Sequence, residues 1–237
     1  MTVIHRGETG RYYRDIPIHA APDLHETAVD ILAGYFDKTT PVLELGAGSG
    51  AFSARLTDLG YAVTPVDLDG EGWCLNTLPL VTADLNHPDW LHALPRDQYA
   101  QIVAIELVEH LENPKKFFRD LAKISPPGGR VLITTPNIAC ALSVLKLIAV
   151  NGFYCFDPKH YFDSGHMSIL PAWLLKLFAE EAGFQVKEIR YISSLDSPWT
   201  YRWLIRAFAW LLRFVRREKS TIRGDGLTTV LLLEKSL

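Results

Sequence analysis

Cysteine is scarce in this chain and shows no pairing pattern. Cys74, Cys140 and Cys155 are three in 237 residues, with no Cys-x-x-Cys and no even set. That excludes a disulfide framework and points to a reduced, cytoplasmic setting. An excess of charge of one sign is also missing. The 24 Lys and Arg against 27 Asp and Glu leave a net charge of −3. A general nucleic-acid binder would carry a strong basic excess, so that class is excluded and any basic site must be local. No stretch of about 20 residues is free of charge, so no membrane-spanning helix is expected. The opening MTVIHRGETGRYYRD has no apolar run of the kind a secretory signal needs, so no signal peptide is expected. Internal repeats and low-complexity tracts are absent. At 48% apolar and 22% charged residues, wholesale disorder is excluded too.

What is present is an alternation of strand-like and helix-like segments. Residues 24–37 have apolar positions at helical spacing. PVLEL (41–45) is a short apolar run ended by glycines, a buried strand. AFSARLTDLG (51–60) is an amphipathic helix closed by Gly60. Residues 61–67, 80–84, 101–107 and 129–135 read as strands, with a weak helix near 70–76 and a Pro-initiated helix at 114–125. Residues 171–183 form a further helix, and 184–192 and 228–235 two more strands. Residues 1–23 read as loop. Residues 137–170 break the rhythm with a short apolar helix at 140–150 and a loop rich in His, Phe, Tyr, Asp and Gly. The alternation predicts a mostly parallel sheet with helices on both faces.

Between the first such strand and its helix stand Gly46, Gly48 and Gly50. Glycines there let the backbone approach a ligand closely, and the helix N-terminus offers free N–H groups. Acids end four successive strands: Glu44, Asp67, Asp84 and Glu106. Ligands of open α/β sheets bind outside the carboxyl ends of the strands, and Asp67 stands where an acid commonly takes a ribose diol. One such acid fits a core reading; four fit it poorly. A nicotinamide dinucleotide site is the rival, since Gly46-x-Gly48-x-x-Ala51 with Asp67 satisfies the relaxed dinucleotide pattern. Against it, Glu44 would sit beside a pyrophosphate and repel it.

The ordered set E-L-G-A-G-S-G (44–50), V-D (66–67), A-D-L (83–85), E-L-V-E-H (106–110) and P-P-G-G-R-V-L-I-T-T-P-N (126–137) resembles the class I S-adenosylmethionine-dependent methyltransferases. The variety most resembled is that of ubiquinone-biosynthesis O-methyltransferases and related enzymes of cell-surface glycan pathways. The resemblance covers roughly residues 25–192 and the last strand. It implies one Rossmann-like domain over residues 1–237, with a seven-stranded, mostly parallel sheet whose last strand is antiparallel. It implies S-adenosylmethionine as cofactor, with Glu44, Gly46, Ala47, Gly48 and Gly50 around its methionine part. Asp67, with Leu68 beside it, would hold the ribose, Asp84 and Leu85 would flank the adenine, and Glu106 would face the cofactor. The reaction implied is methylation of a hydroxyl oxygen on a small, lipid-like or glycan acceptor. Two positions depart from the family pattern: Pro65 replaces a common Gly, and Ala100 a common Asp. A nicotinamide-dependent oxidoreductase and a non-catalytic adapter on the same fold are the alternatives.

Glu106, Glu109 and His110 are spaced i, i+3, i+4 and would share a face on a helical turn. Mixed carboxylate and imidazole ligands suit Mg²⁺, Mn²⁺ or Zn²⁺, and a bound cation would lower the pKa of a substrate hydroxyl. The run also resembles the metal site of small-RNA 2′-O-methyltransferases, whose fourth ligand is a later His. Here that would be His166, with His160 as second choice. Without a metal, Glu106 faces the cofactor, Glu109 caps a turn, and His110, with His166, is the candidate base.

Residues 199–219 hold six basic side chains and one acid, net +5, leaving −8 on the remainder. At 100° per residue Arg202, Arg206, Arg213, Arg216 and Arg217 fall in one narrow arc, and Trp, Phe, Leu and Ile fill the rest. That segregation fits an anionic membrane surface, a helix docked on its own domain, or a homodimer contact. Nucleic acid is not the expected partner, because the basic arc is short and the rest acidic. The expected location is cytoplasmic, at the inner face of the membrane if the helix meets lipid.

Overall fold

The computed structural model describes residues 11–194, 199–216, 221–222 and 226–237. The first ten residues of the loop expected at 1–23, and the end of the segment expected at 199–219, lie outside these. The central strand β3 (Val42–Leu45) is buried throughout its length. It pairs in parallel with β4 (Val63–Asp67) on one side and β6 (Gln101–Ala104) on the other. A strand covered on both faces must be apolar on both, which is why PVLEL and QIVA are nearly continuous apolar runs. β5 (Val81–Thr82) extends the sheet beyond β4, and β7 (Arg130–Pro136) beyond β6. β10 (Thr228–Lys235) runs antiparallel between β7 and β8 (Phe184–Ile192). These are the seven strands expected, in the order β5-β4-β3-β6-β7-β10-β8. A two-residue strand, β9 (Thr221–Ile222), adds an eighth at the β8 edge.

Helices cover both faces. α1 (Leu24–Ala33) and α2 (Ala51–Asp58) lie on one, where Leu24, Leu32, Phe52 and Leu56 meet Val42, Val103, Leu132 and Val230. α3 (Pro114–Ile124) and α6 (Ala172–Glu181) lie on the other, where Phe117, Phe118, Leu121 and Leu175 meet Leu43, Leu45, Ile102 and Ile133. Successive strand residues thus alternate between two cores, as the period of two requires. Each large side chain fully buried there contributes about 1.5–3 kcal/mol. Local signals set the ends of α3. The Asn113 side chain accepts the Lys116 N–H, Pro114 takes the first turn, and Pro126 stands just past the end.

Three local expectations differ from the structure. Residues 70–76 form turns, not a helix; the Trp73 indole N–H binds the carbonyls of Leu75 and Leu78 instead. Residues 11–18 form a hairpin of β1 (Tyr12–Tyr13) and β2 (Ile16–Pro17), with Arg14 and Asp15 left-handed between them. The loop expected after residue 150 contains a short helix, α5 (Pro158–Ser164), capped by the Asp157 carboxylate and ended by Gly165 at φ 75°. α4 (Ala141–Val150) and α7 (Trp199–Arg216) complete the chain.

Candidate active site

The carboxyl ends of β3, β4 and β6 meet in one crevice, and the glycine loop lines it. Gly46 and Ala47 donate their N–H groups to the Val66 carbonyl, so the loop is pinned to the end of β4. Gly46 stands at φ 76°, and a Cβ there would lie 2.9 Å from Leu107 Cδ1. Gly48 stands at φ 58°, and its N–H reaches Asp67 Oδ2 at 2.6 Å. The Leu68 N–H takes Asp67 Oδ1 at 2.8 Å. Asp67 therefore orders the loop. Ser49 Oγ donates to the Pro17 carbonyl, which ties the N-terminal hairpin to the loop. Trp73 and Leu75, from the irregular segment after β4, close over Gly50.

Glu44 is almost fully buried and accepts from Ser53 Oγ at 2.5 Å. Burial pushes its carboxyl up to about 8, the Ser53 bond opposes this, and the charge of Asp67 adds to it. Such a group welcomes a cationic ligand, which would restore its ionised form. Asp84 is exposed and caps the turn at Asn86, while Leu85 beside it is buried.

The Glu-x-x-Glu-His run is not an α-helical turn. Glu106 is left-handed at φ 47°, and only Val108–His110 form a tight 3-10 turn. The left-handed residue turns Glu106 onto Thr134, whose hydroxyl accepts its N–H and donates to its Oε1, both at 2.9 Å. Glu106 therefore does not join the group expected of it as a metal ligand. Glu109, His110 and His166 do come together, with ligand atoms all within 4.8 Å of one another. Glu109 is fully buried; Thr135 Oγ1 donates to its Oε2, and its Oε1 has no hydrogen-bond partner. Burial first, and the Glu106 charge second, hold the Glu109 carboxyl well above its ordinary value. Burial likewise pushes Glu106 up to about 7.

His166 reaches this group because the backbone N–H groups of Met167 and Ser168 bind the Glu109 carbonyl, and Ser168 Oγ binds that of Leu111. Its Nδ1 lies 2.9 Å from the Cys155 carbonyl, which can only accept, so Nδ1 carries the proton and Nε2 keeps its lone pair. Burial keeps His166 below its ordinary value, hence neutral. The rings of His110 and His166 meet edge to face at 4.8 Å. His160 stands beside His166, ring centroids 6.0 Å apart, but its Nδ1 is engaged with Asp157 Oδ1 at 2.7 Å, and Lys146 pairs with the same carboxylate.

A family model described as a methyltransferase domain matches residues 18–189. The chain belongs to that family. It is a class I S-adenosylmethionine-dependent methyltransferase, and the nicotinamide-dependent and non-catalytic alternatives fall with that. The ubiquinone biosynthesis O-methyltransferase of Pseudoalteromonas translucida is 25% identical over 183 residues, spanning 72% of this chain and 74% of its own. That of Xanthomonas axonopodis pv. citri is 27% identical over 170 residues, 68% of each chain. A SAM-dependent methyltransferase structure from Archaeoglobus fulgidus superposes with a TM-score of 0.61 at 19% identity, over 89% of this chain and 94% of that one. That last likeness concerns the fold.

The methyltransferase's crevice suits the cofactor of its class, whose sulfonium carries the methyl group to be transferred. A glycine loop with no room for a Cβ at Gly46, a buried carboxyl at Glu44 and a strand-end Asp67 match a cationic nucleoside. Sequence reasoning missed Thr134 and Thr135, which fix the two buried glutamates from β7. In a strand of buried residues they read as ordinary core. It also missed Leu107, the lid on Gly46. Tyr154 and Cys155 border the same group; burial raises the Tyr154 phenol strongly and the Cys155 thiol to about 12.

Proposed function

We propose that the enzyme transfers the methyl group of S-adenosylmethionine to a hydroxyl oxygen of a small, lipid-like acceptor. The observation that carries this reading is the group Glu109, His110 and His166, one turn beyond the Leu107 that covers Gly46. In our assignment Glu44, the Gly46–Gly50 loop with Ala47, Asp67 with Leu68, and Asp84 with Leu85 receive the cofactor. The new O–CH3 bond forms as the S–CH3 bond breaks, and the sulfonium leaves as a neutral thioether. The chain therefore needs to align the two partners and take one proton from the acceptor hydroxyl. The free Nε2 of His166 can accept that proton, with His110 beside it. Glu109 Oε1 lies 4.0 Å from His110 Nε2, so an imidazolium formed here would draw this buried carboxyl into its ionised form and be stabilised by it.

The same three residues would hold a divalent cation, which would supply Lewis-acid lowering of the hydroxyl pKa. The names of the two relatives support an oxygen acceptor and a lipid-like one. The test is incubation of the purified enzyme with S-adenosylmethionine and lipid-soluble hydroxylated aromatics. The expected product is heavier by one CH2, and none forms from the analogue lacking the hydroxyl. His166→Ala should lower turnover about 10²–10⁴-fold. Turnover indifferent to EDTA would remove the cation from this reading and leave the base. Methylation of the analogue without a hydroxyl would overturn the reading itself.

A further inference from the structure

α7 carries more apolar surface than its docking uses. It packs on α4, with Ile205 buried and Phe208, Ala209 and Leu212 half-buried. Trp203, Leu204, Trp210, Leu211, Phe214 and Val215 lie exposed, Phe214 at 74%. On a helical wheel these six cover an arc of roughly 140° beside the docked strip. Trp210 and Phe214 stack within it, their ring centroids 6.2 Å apart. α4 adds exposed Leu147, Ile148 and Val150, Ile148 at 76%. A contiguous apolar face of this kind marks an interaction site.

We infer that the exposed face of α7 and α4 docks on an anionic lipid bilayer. The charge selects this occupant. Residues 199–219 carry +5 while the rest of the chain carries −8. An anionic bilayer attracts the first and holds off the second, which orients the molecule. A second copy of this chain joined through the same helix would bring together two segments that are each net positive in sequence. Trp203 and Trp210 have the apolar body and polar N–H that suit the headgroup level.

The face also lies beside the acceptor side of the crevice. α4 starts five residues past the end of β7, and its Ser143 Oγ accepts the N–H of Tyr154, in the segment that leads to His166. A lipid-soluble acceptor would thus reach the crevice from the bilayer. That step rests on the acceptor reading above; the docking itself does not.

The experiment is sedimentation of the full-length protein with phosphatidylglycerol–phosphatidylcholine vesicles, at low and high salt, without any acceptor. The protein should pellet with these vesicles and lose about tenfold or more of its affinity at high salt or on pure phosphatidylcholine. The double variant Leu211→Asp/Phe214→Asp changes exposed residues only. It should bind vesicles at least about tenfold more weakly, with melting temperature and S-adenosylhomocysteine binding unchanged. No pelleting at low salt, undiminished binding by the variant, or loss of a dimer in place of vesicle affinity would each overturn the proposal. Vesicle binding without methylation of any lipid-soluble acceptor would sustain the surface and refute the acceptor.

Discussion

Gly48 has a left-handed backbone and donates to Asp67 at 2.6 Å. Gly48→Val places a β-branched residue where φ is positive and a ligand must approach closely. Cofactor binding should be lost while the protein still folds, as calorimetry with S-adenosylhomocysteine and circular dichroism would show. Unchanged affinity would remove the loop from the site. Glu44 gives a pH-dependent test. Its carboxyl ionises at about 8 in place of the ordinary 4.5. A raised carboxyl contributes stability below about 4.5, and that contribution fades as pH rises towards 8. Glu44→Gln should therefore melt close to the unaltered protein at low pH and above it at pH 9. Cofactor affinity should rise with pH across that window in the unaltered protein and stay flat in the variant.

The strand positions of Glu44 and Asp67 and the glycine loop were legible from residue type and the apolar runs, whereas Asp84 and Glu106 lie two residues past the short strands β5 and β6 that they were expected to end. Glu106 stands apart from Glu109, His110 and His166 because its backbone is left-handed where helical spacing would have put all on one face. Thr134 and Thr135 were not legible, since partnership with Glu106 and Glu109 arises only when β7 lies beside β6.

At the scale of elements, strong local signals succeeded and mixed ones failed. Asn113 with Pro114, and Pro171 with Gly183, bracket helices that formed where expected. The stretch 70–76 carries too little apolar periodicity for a helix, and Trp73 spends its indole N–H on a turn. α5 had its signal in Asp157-Pro158 and Gly165, hidden among aromatics that read as loop. For α7 the periodicity offered burial or exposure of one apolar arc. The structure divides the arc: Ile205 is buried and Leu211 exposed. Leu211→Asp alone should accordingly leave the melting temperature within about 0.5 kcal/mol equivalents of the unaltered protein. A cooperative loss of structure in that variant would mean that Leu211 packs inside.

For the whole molecule, the sheet was readable because the central parallel strands β3, β6 and β7 are buried on both faces and the helices packed on them on one. Those two constraints leave an apolar run and an amphipathic run in alternation, and few ways to wind them. The hairpin at the N-terminal end and β9 escaped because two-residue strands have no periodicity to read. The sheet order brings Glu44, Asp67 and the turn after β6 to one edge of the crevice, so fold and site are a single claim: a crevice built for S-adenosylmethionine. Calorimetric titration of the purified protein with S-adenosylhomocysteine and with NAD tests that claim most directly. S-adenosylhomocysteine should bind at one site per chain and NAD should not. Asp67→Ala, which removes the carboxylate proposed to accept from the ribose hydroxyls, should weaken that binding by about 1.5–3 kcal/mol. Binding of NAD in place of S-adenosylhomocysteine, or affinity unaltered by Asp67→Ala, would contradict the account.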